Sequence, residues 1–338
     1  MKAWLYRIDR IDVKPRPGGT DLRYSEWTTP ISDTLFSKFK ETLTWDDFAL
    51  YPDTHALKNR IAEVHGVTPL NVYLGPGSAE CIKNIFDCFR EGETLVTTDP
   101  CFPMYEVYAK QNGMDITKVA PETNLSYKPK LFNKGSLVVL SRPSNPLGYL
   151  FTRKDIIKIL DNNPDSWVLV DEAYIDYATS VDNIIDLLTV YNNLIISRSF
   201  SKVFGAAGCR VGYLLSHSRN IDLISKFRQM YEVSGPAMKY ALFLLNNQDM
   251  VRDYCSQTII ERKNILILFK DAGYDVVPSE GNWIHIEQTP LLLKCLSKNG
   301  ILIKEGVVLP KSHYDYIRMT VGPGIYELLK NIIPQRNP

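Results

Sequence analysis

The stretch Ser197–Tyr213, SRSFSKVFGAAGCRVGY, gathers residue types that can do chemistry together. Lys202 sits among small residues, with the hydroxyls of Ser199 and Ser201 before it and Arg210 after it. A lysine amine can form an imine with a carbonyl compound. Two hydroxyls and the planar donor fork of a guanidinium can hold a phosphate. The β-branched run Leu194–Ser197 predicts a buried strand, and Val211–Leu215 predicts a second one after the Gly-Ala-Ala-Gly turn. Lys202 is therefore expected on a loop between two strands. Taken alone, the pattern reads first as a solvated lysine on a glycine-rich turn, so the rest of the chain must decide.

Other stretches supply compatible chemistry, each with a bland reading beside it. Asn71–Leu74 predicts a strand, followed by Gly75-Pro76-Gly77-Ser78-Ala79-Glu80 and a helix over Cys81–Phe89. A small-residue turn entering a helix presents free amides and the positive end of the helix dipole, which suits a phosphate. Helices also start on Gly and Ser without any ligand. Trp167–Val170 predicts a buried strand that delivers Asp171-Glu172-Ala173-Tyr174 at its carboxyl end, where open α/β sheets carry ligand groups. Asp171 with Glu172 also suggests magnesium, but no G-x-x-x-x-G-K-[ST] loop accompanies them; Glu172 reads as structural. Ser136–Leu140 ends in a loop to Gly148 whose two prolines predict an extended course, letting Asn145 point back over the strand end. N-P-x-G is equally a common turn. Thr94–Thr98 leads to Asp99–Tyr105, where Phe102 is an aromatic that can anchor a loop or face a ring. Arg318, in YIRMTVG, is by itself a strand arginine of the kind that usually makes a surface ion pair. The histidines at 55, 65, 217, 285 and 313 show no ligand spacing, and none is assigned to a metal.

S-x-S-K followed by A-G-x-R-x-G-Y resembles the cofactor-lysine region of fold-type I pyridoxal phosphate aminotransferases, most of all the histidinol-phosphate aminotransferase group. The resemblance runs from about Tyr51 to Gly322. It implies that Lys202 tethers pyridoxal 5'-phosphate and moves the proton. It gives Asp171 the pyridine nitrogen, Tyr174 and Asn145 the phenolic oxygen, and Phe102 the ring face. The amides of Ser78 and Ala79, with Ser199, Ser201 and Arg210, would hold the phosphate. Tyr51, in a Y-P-D segment, would reach the cofactor phosphate of a neighbouring subunit, which implies a homodimer. Arg318 matches the family's R-x-T-V-G arginine for the substrate carboxylate, and Asn145 borders the same space. Lys304 stands where histidinol-phosphate enzymes have a second arginine; it keeps the charge without the fork. LRYSEWTTP, Leu22–Pro30, takes the place of an N-E-N-P substrate segment, and only Glu26 and Pro30 loosely agree. Trp27 and Tyr24 in that segment can wall a pocket or simply pack. The implied activity moves an amino group between an amino donor and a keto acid or phosphorylated carbonyl compound. A decarboxylase of a phosphorylated amino acid (threonine-phosphate or serine-phosphate type) uses the same lysine and aspartate. A non-catalytic effector module is disfavoured by the intact lysine and the lack of a helix-turn-helix region.

These groups need a scaffold. A chain of 338 residues is long for one core. The reading is an arm (1–31), a large cofactor domain (32–234) and a small domain (235–338). Alternating strands and helices over Asn71–Leu215 predict an α/β fold, its mainly parallel (mixed) sheet covered by helices on both faces. A smaller α+β domain follows a break at Gly235-Pro236, with a helix over Met250–Phe269 and strands at Tyr274–Val277, Trp283–Ile286, Ile301–Lys304 and Tyr316–Thr320. Helices are also expected over Ser32–Leu43, over Asp53–Val64 with Asp53 as N-cap and Gly66 as stop, and from Thr152. With 39 basic and 38 acidic residues the net charge is +1, which argues against nucleic acid or anionic membrane as partner. Six cysteines without C-x-x-C spacing suit a reducing cytosol. The opening MKAWLYRIDRIDVK has no apolar core of signal length, and no run reaches a membrane span, so a soluble cytoplasmic protein is expected.

Overall fold

A computed structural model of the chain describes residues 18–336, so the reading of the opening fourteen residues lies outside the described residues. Strand β1 (Thr20–Asp21) precedes the seven strands of the main sheet. These are β2 (Val72–Gly75), β3 (Thr94–Thr98), β4 (Asp115–Val119), β5 (Leu137–Ser141), β6 (Trp167–Asp171), β7 (Leu194–Ser199) and β8 (Gly212–Ser216). Their order is β2-β8-β7-β6-β5-β3-β4; β8 runs antiparallel to both neighbours and every other pair is parallel.

The inner strands are apolar on both faces because both are covered. Side chains alternate along a strand, so Val138, Leu140, Val170 and Ile196 enter one core while Leu137, Val139, Leu169 and Ile195 enter another. Helices α1 (Asp33–Glu41) and α2 (Asp46–Ala49) precede α3 (His55–His65), which covers the first face. The second face is covered by α4 (Ser78–Phe86) and α5 (Pro103–Gln111), through Ile82, Ile85, Tyr105 and Tyr108. Helix α6 (Arg153–Asp161) returns to the first face, capped by Thr152, and α7 (Ser218–Ser225) to the second. Helix α8 (Gly235–Asn246) packs Ala237, Met238 and Ala241 into the first core beside α3.

The long α9 (Gln248–Asp271) leads to a second sheet. It contains β9 (Val276–Val277) and β10 (Trp283–Glu287); after α10 (Pro290–Lys298) and β11 (Ile301–Leu302) come β12 (Lys304–Val308) and β13 (Asp315–Thr320). The order β12-β13-β10-β9 is antiparallel throughout. Its outer face, with Ile284, Ile286, Ile317 and Met319, packs on α9, α10 and the short α11 (Ile325–Leu329). Trp283, His285 and Arg318 lie on the opposite face, toward the main sheet's loops: the Trp283 indole N–H donates to Pro146 O at 3.0 Å. The fold is thus α/β with a mainly parallel mixed sheet plus a smaller α+β part.

Several expectations shift. The stretch Ile301–Lys304 is not one strand: Ile301 and Leu302 pair with β1 of the arm, and Lys304 opens β12 in another sheet. Gly235-Pro236 starts a helix rather than breaking the chain, since proline is tolerated in a first helical turn. Thr54, not Asp53, is the cap of α3, although Asp53 still accepts from the His55 amide at 2.9 Å. Gly66 does end the helix, at φ 66°. The 141–148 loop doubles back instead of running extended, with the Ser144 amide on Tyr149 O and the Gly148 amide on Ser144 O. Buried Glu172 accepts from Arg142 at 2.7 Å and from Arg198 at 2.7 and 3.1 Å. One carboxylate therefore locks the ends of β5, β6 and β7 together.

Candidate active site

The strand ends fix where the chemistry can sit. Because β2, β3, β5, β6 and β7 point the same way and β8 starts where β7 ends, Gly75, Thr98, Ser141, Asp171, Ser199 and Gly212 share one edge of the sheet. The loops leaving that edge carry Ser78, Phe102, Asn145, Tyr174 and Lys202.

At one end of this row the start of α4 meets Arg210. Ser78 and Ala79 are the first residues of α4, and Gly77 before them has φ 87°. A Cβ on Gly77 would collide with the Arg210 guanidinium, and one on Gly212 would collide with the Ser78 amide. Arg210 donates to Ser201 Oγ at 3.3 Å and the Ser201 amide donates to Ser199 Oγ at 3.0 Å. Ser78, Ala79, Ser199, Ser201 and Arg210 are thus brought together. The two glycines let the helix N-terminus, the guanidinium and the start of β8 approach one another closely.

Asp171 lies further along. Tyr105 donates to its Oδ2 at 2.8 Å and the Ala173 amide to its Oδ1 at 3.2 Å. Burial pushes the carboxyl up to about 6, against the pull of those two hydrogen bonds. Phe102 meets the Tyr105 ring edge-on at 5.5 Å, which places it in the same neighbourhood.

Lys202 Nζ donates to Tyr24 O at 2.6 Å and stands 5.9 Å from the Tyr174 ring centre. Burial raises the Tyr174 hydroxyl, but the charges of Lys202 and Arg318 outweigh it and hold the group below its ordinary value. Arg318 donates to Ser25 Oγ at 2.9 Å and to Asn145 Oδ1 at 3.3 Å, and lies 4.2 Å over the Trp283 ring. Lys304 is the strand neighbour of Arg318; its side chain reaches water, but partial desolvation of the amine and the Arg318 charge lower it. Tyr51 is not brought to the site of its own chain: it is 77% exposed and stacks on Tyr231 at 4.0 Å.

The sequence reading gave no role to several residues that build this site. Tyr105 orders Asp171, and its only signal was its place three residues after Phe102, one helical turn along. Ser25 has φ 56° and touches Arg318, a contact 293 positions apart in the chain that no local pattern can announce. The Tyr177 hydroxyl donates to Lys202 O at 2.8 Å. Trp27 packs, stacked on Tyr254 at 3.9 Å, and donates to Val203 O.

The arrangement fits the cofactor that the sequence resemblance implies: an anion cradle, a desolvated acid, an aromatic face and an amine along one edge. A model of the aminotransferase class I and II family matches residues 21–327. The chain belongs to that family. Among its relatives, a histidinol-phosphate aminotransferase of Clostridium novyi (strain NT) is 30% identical over 94% of this chain and 93% of its own. Family members also share the fold: the histidinol-phosphate aminotransferase of Sinorhizobium meliloti, solved with pyridoxal-5'-phosphate, superposes with TM-score 0.83 at 22% identity, covering 94% of this chain and 90% of that one. An L-threonine-O-3-phosphate decarboxylase of Porphyromonas gingivalis gives TM-score 0.77 at 22% identity, covering 93% and 98%. Among the described residues of this aminotransferase-family chain there is no metal-ligand cluster, and no helix is long and apolar enough to cross a membrane.

The Asp171 environment yields a stability prediction. A carboxyl whose folded value lies above its unfolded value of 3.8 opposes folding once pH exceeds 3.8, fully so above about 6. In cofactor-free protein, the stability of Asp171→Asn relative to wild type should therefore be higher at pH 7.5 than at pH 4, by roughly 2–3 kcal/mol. Urea denaturation at both pH values measures it; an equal difference at both would show that the acid is not strained by burial.

Proposed function

We propose that the protein is a pyridoxal 5'-phosphate-dependent aminotransferase of the histidinol-phosphate type, acting on an amino donor that carries a carboxylate or phosphate. The observation that carries this reading is the meeting of Lys202, Tyr174 and Arg318 within one buried space, beside the Asp171 edge of the sheet. When bound, the cofactor supplies an electron-accepting ring that stabilises the charge left on the substrate carbon. Asp171, lacking any other cation within hydrogen-bond reach among the described residues, keeps a ring nitrogen protonated by pairing with it. Ser78, Ala79, Ser199, Ser201 and Arg210 hold the phosphate, and Phe102 covers the ring face. Asn145 and Tyr174 donate to the phenolic oxygen; the lowered Tyr174 hydroxyl suits a short bond to an anion. Lys202 Nζ would hold the cofactor through its carbonyl carbon. As a free amine it would take up and hand on the proton at the substrate Cα. Arg318 fixes the carboxylate by its fork, and Lys304 at the pocket mouth meets a second anion.

The arm (1–31), the large cofactor-holding unit (32–234) and the smaller unit (235–338) each contribute to this site, with α8 packed on the larger one. We place the enzyme in the cytoplasm, where its six free cysteines would stay reduced. We also propose a homodimer. Trp45, Phe48, Leu50, Tyr51, Met230 and Tyr231 are large apolar side chains left exposed, with Tyr51 and Tyr231 stacked together. Such a surface is out of keeping with a lone subunit, and a second copy would bring its Tyr51 to the phosphate cradle.

An amino-donor screen followed at the cofactor's absorption bands tests the activity, with histidinol phosphate, phosphoserine and glutamate as donors. Keto-acid-dependent turnover without carbon dioxide is expected; carbon dioxide release with no keto acid consumed would overturn transamination. Sedimentation equilibrium should give twice the 38.6 kDa chain mass. Tyr51→Ala should then loosen cofactor retention, about tenfold for one lost charge-assisted hydrogen bond. A monomer of full activity would sink the dimer.

A further inference from the structure

We propose that His285 is a positioning residue for Arg318: its neutral imidazole supplies the acceptor that seats the guanidinium when a substrate carboxylate arrives. The proposal rests on the reading of Arg318 as the carboxylate holder. In the antiparallel β10–β13 ladder His285 stands directly opposite Arg318, and Lys304 stands opposite Arg318 on the other side. Three basic side-chain types thus lie abreast across three strands. His285 is fully buried, and among the described residues neither Nδ1 nor Nε2 has a hydrogen-bond partner. Arg318 Nε is likewise buried without a partner among the described residues, while the two outer nitrogens donate to Ser25 and Asn145. Orphaned polar atoms inside a protein are costly. Here three of them sit on two facing side chains, a donor on one and an acceptor on the other.

The chemistry explains why this position holds a histidine. A carboxylate there would satisfy Arg318 Nε but would also cancel the charge that the substrate needs. An aliphatic side chain would preserve the charge and leave Nε orphaned. A neutral imidazole preserves the charge and offers one bare ring nitrogen. The charged groups facing His285 are Arg318 from β13 and Lys304 from β12; β9 offers Val277. On its own strand, Glu287 shares the face but is held by Arg336 at 2.7 Å. Burial, together with the Arg318 and Lys304 charges, pushes His285 down to about 3, so it stays neutral under ordinary working conditions. A carboxylate taking both outer nitrogens of Arg318 frees the guanidinium from Ser25 and Asn145. Nε can then settle on the imidazole.

The test compares wild type with His285→Leu, His285→Gln and Arg318→Lys in the holoenzyme, using L-glutamate as probe in a spectral titration, with kinetics and thermal melts. His285→Leu should weaken glutamate about tenfold or more, the loss expected for a hydrogen bond to a charged group. The loss should fall on the glutamate constant rather than on the maximal rate. The same variant should melt no lower than wild type, because an unpaired polar group has left the core. His285→Gln, whose amide oxygen can accept, should recover most of the affinity. His285→Leu binding glutamate like wild type, or His285→Gln losing as much as His285→Leu, would overturn the role of His285. If Arg318→Lys left glutamate binding unchanged, or wild type did not saturate with glutamate, the carboxylate reading of Arg318 would itself fall.

Discussion

A carboxylic acid taken out of water must either find a positive charge or keep its proton. Asp171 is in that position at the carboxyl end of a central strand, buried and held by one phenol and one amide. Among the described residues no arginine or lysine is a hydrogen-bond partner of it, whereas its chain neighbour Glu172 is answered by two arginines. The contrast between these adjacent residues organises the site. Glu172 is neutralised from within the protein and ties three strand ends together. Asp171 is left needing a cation from elsewhere, and a protonated ring nitrogen is such a cation.

The rest of the fold brings the loop that bears Lys202 to the same sheet edge as that acid. Parallel strands deliver their loops to one edge, and the antiparallel β8 returns the chain to the same edge at Gly212. There the absence of a side chain lets β8 lie against the start of α4. The smaller sheet closes the site by turning its Trp283 and Arg318 face onto the Asn145–Pro146 loop. The arm completes it by lying between Lys202 and Arg318, with Tyr24 O on one and Ser25 Oγ on the other. Both contacts are ones that a cofactor and a substrate carboxylate would replace.

What the sequence could show follows from how local each signal is. Buried strands such as β5 and β6 were legible because both faces are covered and their residues read as nearly continuous apolar runs. The Lys202 segment and the Gly77-Ser78 turn were legible because their chemistry lies within a few residues. The Ile301–Lys304 run hid a change of sheet, since what separates β11 from β12 is pairing with the distant β1 rather than anything in the run itself. Tyr105, Ser25 and His285 escaped notice for a related reason. Their roles come from strand register and burial across the fold, and a lone histidine among apolar neighbours looks like ordinary core.

The proposed chemistry requires Lys202 Nζ to be the group that holds the cofactor. Borohydride reduction of the holoenzyme, followed by proteolysis and mass analysis of the peptides, examines that attachment directly. The cofactor's mass should appear, stably bound, on the peptide carrying Lys202 and on no other lysine. An active, coloured enzyme whose label falls elsewhere, or whose Lys202 peptide stays unmodified, would contradict it.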